Sequence, residues 1–177
     1  FLDTDTMEKE RGITIFSKQA ILPWKDTQIT LLDTPGHVDF SAEAERVLQV
    51  LDAAVLVISG TDGVQAHTET LWQLLHRYQI PTFLFVNKMD LPGANREALC
   101  SALQSRLGAG CVDMAAPDWA EQAALCDEQL MEAYLAGKEL PAAELRRCVA
   151  RRKLFPCYFG SALKLQGICE LLQGMAA

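Results

Sequence analysis

Along this chain short apolar runs alternate with amphipathic stretches. Ile13 to Leu22 (ITIFSKQAIL) alternates in part and predicts a β segment; Ile29 to Leu32 (ITLL) is short, apolar but for Thr30, and predicts a second. The turn between them, Pro23 to Asp26, predicts an antiparallel hairpin. Ala53 to Ser59 (AAVLVIS) and Thr82 to Val86 (TFLFV) are continuous apolar runs, the pattern of strands covered on both faces. Phe155 to Phe159 predicts a last strand.

Helical spacing fills the intervals. Ser41 is placed as an N-cap with Glu43 and Glu45 in the first turns and Val47, Leu48 and Leu51 on the apolar face. Leu71, Leu74 and Leu75 mark a helix from about Gln65 to Tyr78, stopped by Pro81, and further helices are predicted over 94–107 and from Gly167 to Met175. Strands alternating with helices predict an α/β fold, a mostly parallel sheet with helices on both faces. Residues from 108 to about 152 break this rhythm. They are rich in Ala, Glu and Leu, contain Pro117 and Pro141, and show helical but no strand spacing, which predicts a helical insertion and not a separate domain.

Composition narrows the class. Of 177 residues half are hydrophobic and 22% charged, enough for one well-buried domain. No apolar run approaches the roughly 20 residues that cross a bilayer, and no signal peptide is evident, so a cytoplasmic protein without a membrane partner is expected. The net charge of -7 argues against DNA or other broad binding to phosphate backbones, though not against docking at one place on a large RNA-containing assembly. The six cysteines contain no Cys-x-x-Cys pair, so they are expected to be reduced thiols acting as small hydrophobes, not zinc ligands. The first residue is Phe1, not methionine, which predicts a longer parent chain.

The chemistry lies where strands end. LLDTPGHVDF (Leu31 to Phe40) runs an apolar strand into an acid, a hydroxyl, proline, glycine and histidine. Asn87-Lys88-Met89-Asp90 follows one apolar run and Ser161-Ala162-Leu163 another, while Arg11-Gly12-Ile13-Thr14 precedes the first strand. Singly, each is open to a plain reading as a turn, a cap or a strand lead-in. Together they fit a ligand site, because parallel strands would place the three loops on one sheet edge, at the carboxyl ends.

In this order the segments resemble the guanine-nucleotide-binding domain of translational GTPases of the elongation factor G branch. MEKERGITI resembles the first switch, DTPGHVDF the second, NKMD the guanine-reading loop and GSALKLQGI the last nucleotide loop. The resemblance implies a P-loop NTPase-like domain over residues 1–177, GTP/GDP and Mg²⁺ as ligands, GTP hydrolysis as the activity and the ribosome as partner. Asp33 and Thr14 would hold Mg²⁺, which keeps several waters and few protein ligands. Gly36 would bring its N–H to the γ-phosphate, His37 would position the attacking water, and Ile13 would screen that histidine. Asp90 would accept hydrogen bonds from guanine N1–H and the exocyclic amine, and Asn87 would tie the loop together and meet the purine edge. Lys88 would lie over the ring, and the Ala162 N–H, in the Ser161-Ala162-Leu163 loop, would reach O6.

Within the branch, LMEAYLAGKEL, LFPCYFGSA and the short insertion resemble the ribosomal protection proteins that confer tetracycline resistance. Elongation factor G proper or a release-factor-class relative is the alternative, and a non-catalytic remnant or binding module is a third. The 177 residues hold no GxxxxGK[ST] phosphate loop, and the family's strand leading into that loop would lie between the strands ending at Asp33 and Ser59. The isolated chain is therefore expected to bind GTP weakly, with apolar strand edges that are left open, filled by another strand or closed on each other.

Overall fold

The structure is a computed structural model and describes residues 18–34 and 47–176. Its contacts divide the chain into two compact units, Phe1–Leu51 and Asp52–Ala177.

In the first unit, β1 (Lys18–Trp24) pairs antiparallel with β2 (Thr27–Asp33), in a register that sets Lys18 opposite Asp33 and Trp24 opposite Thr27. The hairpin is as expected, but its turn is tighter. The strand continues through Pro23 and Trp24, leaving Lys25 and Asp26 to reverse the chain, with Lys25 at φ 50°. Positive φ at the first central residue suits the twist of a two-residue hairpin loop. The expected first-switch strand residues before Lys18, including Ile13 and Thr14, and the start of the helix predicted from Ser41 lie outside the described residues.

The second unit is a four-stranded, wholly parallel sheet in the order β3 (Ala54–Ser59), β4 (Thr82–Asn87), β6 (Phe155–Phe159), β5 (Cys111–Asp113). Between them run α1 (Ala66–Arg77), α2 (Arg96–Arg106), α3 (Trp119–Ala124), α4 (Glu128–Leu135) and α5 (Ala142–Ala150), and α6 (Ile168–Ala176) ends the unit. β4 is buried over its first five residues, as its continuous apolar run requires of a central strand. Alternate residues serve opposite faces. Phe83 and Phe85 pack with Leu171 of α6, and Asp113 of β5 meets α2 through Arg96 on the other face. Helices therefore cover both faces, and the α/β class is as the periodicity indicates. β3 is an edge of this sheet and leaves Val57 58% exposed.

The segment after residue 108 is not purely helical. Cys111–Asp113 forms a strand parallel to β6, with Cys111 opposite Phe155 and Asp113 opposite Cys157. Three residues are too few to show a period of two, so the pattern could not reveal them. The helices α3 to α5 then close over Val112, Ala123, Leu130, Cys148 and Leu154, which form a buried cluster. Asp127 caps α4 by accepting from the Gln129 N–H at 3.1 Å and pairs with Lys153 at 2.7 Å.

A buried arginine joins α1 to the sheet. Arg152 is 9% exposed, lies over the rings of Trp72 and Phe155, and donates to the Ile80 carbonyl and to Thr82 Oγ1. All six cysteines are free thiols. Burial pushes Cys100 and Cys126 up to about 11 and raises Cys148 and Cys157, so these thiols stay protonated at neutral pH and behave as small apolar groups. Among the described residues no helix is long and apolar enough to cross a membrane, and no cluster of three or more His, Cys, Asp or Glu is placed to hold a metal ion.

Candidate functional site

The register of the parallel sheet decides which loops meet. Ser59 lies opposite Asn87 and Val86 opposite Phe159, so β3, β4 and β6 end level with one another. The chain leaving each strand is bound to its neighbour. The Gly60 N–H donates to the Asn87 carbonyl at 2.7 Å, the Gly160 N–H to the Val86 carbonyl at 2.9 Å, and the Met89 N–H to the Gly160 carbonyl at 2.9 Å. Asn87 to Asp90 and Ser161 to Leu163 thus share one edge at the carboxyl ends of the strands.

Asn87 is the hub of that edge. Its Oδ1 accepts from the Lys88 N–H and from the Ala162 N–H, both at 2.8 Å. Two donors on one atom fix the amide orientation and aim Nδ2 away from them. Lys88 then sits at φ 63°, a left-handed conformation that a long side chain rarely adopts. Its side chain is exposed.

Asp90 is held from the other side. Its side chain is 15% exposed; the Ser161 hydroxyl donates to it and Lys164 Nζ lies 3.0 Å from Oδ2. The Ser161 hydroxyl first, then the Lys164 ammonium, keep the carboxyl below its ordinary range, so it is an ionised acceptor at neutral pH. Ser161 is itself 1% exposed. The turn after it, a 3₁₀ turn over Ala162–Lys164, is closed by the Ser161 N–H to the Gln166 carbonyl at 3.1 Å and the Gln166 N–H to the Ser161 carbonyl at 3.0 Å. This closure needs glycine before it: a Cβ at Gly160 would lie 2.0 Å from the Gln166 carbonyl oxygen.

The expected residues are distributed unevenly over the described chain. Asn87, Lys88, Asp90, Ser161, Ala162 and Leu163 come together. Asp33 ends β2 of the two-stranded antiparallel sheet, so the DTPG segment does not follow a strand of the parallel sheet; apolar pattern alone does not say which sheet a strand joins. Gly36, His37, Ile13 and Thr14 lie outside the described residues. Ala162 differs from expectation. Its N–H is given to Asn87, and the next one, of Leu163, makes no hydrogen bond within the described residues. Lys164 is a site residue that the sequence reading misses, although a cation three residues after Ser161 in GSALKLQGI is the available signal.

An ionised carboxylate, an oriented amide and a free backbone donor along one edge match the donors and acceptors of a guanine. Residues 1–177 match the family described as the elongation factor Tu GTP binding domain. The chain is 36% identical over 225 residues to elongation factor G of Mycoplasma pneumoniae, covering 98% of this chain and 33% of that protein. It is 36% identical to elongation factor G of Mycoplasma genitalium and 32% identical to that of Ureaplasma urealyticum serovar 10, with the same coverage. The chain thus spans about a third of the length of these curated relatives. A crystal structure of a Thermus thermophilus protein superposes with a TM-score of 0.82 at 24% identity, over 97% of this chain and 33% of that one, which shows a shared fold. The chain belongs to the GTP-binding domain family of the translational GTPases.

Proposed function

We propose that this chain is the nucleotide-binding part of an elongation factor G-type GTPase, which hydrolyses GTP with Mg²⁺ when engaged with the ribosome in the cytoplasm. The observation that carries the reading is the Asp90 carboxylate, fixed by Ser161 and Lys164 beside the oriented Asn87 amide. Guanine N1–H and its exocyclic amine would donate to Asp90, Asn87 Nδ2 would meet N7, and the unoccupied Leu163 N–H would face O6. Adenine presents no donor pair there, and a buried group left unpaired costs about 1–3 kcal/mol.

The residues toward the phosphates act by position and charge. Asp33 would supply a hard carboxylate oxygen to Mg²⁺ or to the waters of its shell, and Thr14 would add a second oxygen when the first switch is ordered. Bound Mg²⁺ offsets charge on the phosphate oxygens. Gly36 would present its N–H to the γ-phosphate, and His37 would orient the attacking water, with Ile13 excluding bulk solvent.

A second reading, ribosomal protection against tetracycline, is favoured by one observation. The alignment with the Mycoplasma pneumoniae factor runs over 225 positions, more than the 177 residues here, so that relative has residues with no counterpart in this chain. That fits the short insertion which, with the LMEAYLAGKEL and LFPCYFGSA segments, resembles the ribosomal protection proteins.

The test uses the protein encoded by the complete gene. Phosphate release from GTP should rise on addition of ribosomes, and His37→Ala should retain nucleotide binding while losing about 100-fold or more of that stimulated rate. A normal rate in His37→Ala would remove the histidine from the reaction. Expression in a susceptible bacterium separates the two readings: growth in tetracycline supports protection, and translocation activity without growth supports the elongation factor.

A further inference from the structure

Lys164 has a place in the base site that the motif by itself does not explain. Its ammonium lies 3.0 Å from Asp90 Oδ2, while its neighbours Leu163 and Leu165 are 92% and 75% exposed and pack on little. The backbone beneath it is nevertheless fixed. The Ser161–Gln166 hydrogen bonds close the turn, and Leu165 completes it at φ 56°. Asp90 is anchored to the same scaffold through the Met89 N–H on the Gly160 carbonyl.

Surface ion pairs are weak largely because two long side chains must be ordered to make them. Here both backbones are already held by one network, and only the lysine side chain has much freedom to lose. A carboxylate offers about four lone-pair positions. Ser161, Lys164 and the backbone N–H of Asp90 itself occupy part of them, which restrains its rotation while the remaining acceptor capacity stays open to a ligand. We infer that Lys164 is a positioning residue for base recognition: it clamps Asp90 so that both carboxylate oxygens face the N1–H and the exocyclic amine of a guanine nucleotide. The inference rests on the guanine-site reading above.

The experiment compares GDP with inosine diphosphate, which lacks the exocyclic amine and so engages one carboxylate oxygen fewer. Both are titrated into the full-length protein and its Lys164→Met, Lys164→Arg and Asp90→Asn variants. Lys164→Met should weaken GDP by roughly two- to five-fold and lower the GDP-over-inosine preference, and Lys164→Arg should keep both near wild type. The pH profile supplies a readout that general loss of structure would not move. The Ser161 hydroxyl, the Lys164 ammonium and the backbone N–H of Asp90 itself depress its titration against a smaller opposing effect of burial; binding through Asp90 is therefore present above the carboxylate range and lost as pH falls through the depressed value. Without the lysine that loss should begin at higher pH.

Unchanged or tighter GDP binding in Lys164→Met, or an equal loss in Lys164→Arg, would overturn the clamp. Asp90→Asn tells the two failures apart. If it too leaves GDP affinity unaltered, the guanine-site reading falls and the clamp with it. If it weakens GDP while Lys164→Met does not, the clamp alone is wrong.

Discussion

Asn87 Oδ1 accepts the Ala162 N–H at 2.8 Å, a bond between residues 75 apart in sequence that makes the loop after β4 and the turn after β6 one unit. Removing that acceptor hands two exposed N–H donors, of Lys88 and Ala162, over to water and unties the two loops. Asn87→Ala should destabilise the fold by about 0.5–1.5 kcal/mol and weaken guanine nucleotides more than any loss of folded protein explains. Urea unfolding and nucleotide titration on the same preparation check both. A variant of unchanged stability would mean that the two loops are held by the backbone contacts alone.

Lys88 at φ 63° represents strain kept in the loop proposed to hold the base. A left-handed conformation costs a side-chain-bearing residue about 1–2 kcal/mol, which glycine does not incur, although glycine loses more freedom on folding. These effects oppose each other. Lys88→Gly should alter stability by less than about 1 kcal/mol while weakening nucleotide binding, since the stem over the ring is lost. Thermal unfolding beside GDP titration reads the contrast. Loss of stability with affinity intact would place the lysine in the fold and not in the site.

Gly60 supports the base loop from β3. A Cβ there would lie 2.8 Å from Met89 Sδ and 3.0 Å from the Asn87 carbonyl oxygen, on a residue whose N–H bonds that same carbonyl at 2.7 Å. The thioether can swing aside; the backbone oxygen cannot move without shifting Asn87. Gly60→Ala should cost about 1–3 kcal/mol by overpacking and should reduce GDP affinity, although residue 60 itself touches no base. Denaturant midpoints and affinities near wild type would show that the loop relaxes freely.

Much of the fold is legible along the chain because its strands are buried. Phe155–Phe159 is bounded as its apolar run suggests, and β4 extends the expected strand by one residue, Asn87, the first polar residue after it. β5 escapes because three residues hold no period. The β1–β2 hairpin is legible, but not that β2 stays out of the parallel sheet, because which sheet a strand joins is a long-range choice that local pattern does not encode. The site divides likewise. NKMD and GSALK stand out as sequence, and both lie at the carboxyl edge of the parallel sheet. The ion pair of Lys164 with Asp90, the left-handed Lys88 and the engagement of the Ala162 N–H by Asn87 arise from contacts between distant segments.

The central claim is that Asp90 reads the Watson–Crick edge of guanine, and its most direct test is the affinity of Asp90→Asn for GDP and for xanthosine diphosphate, measured in the full-length protein. An amide presents a donor where guanine also donates, whereas xanthine offers an oxygen in place of the exocyclic amine. The account predicts a loss of GDP affinity of about ten-fold or more, with xanthosine diphosphate becoming the preferred ligand. Wild-type affinity for GDP and continued rejection of xanthosine diphosphate would contradict it.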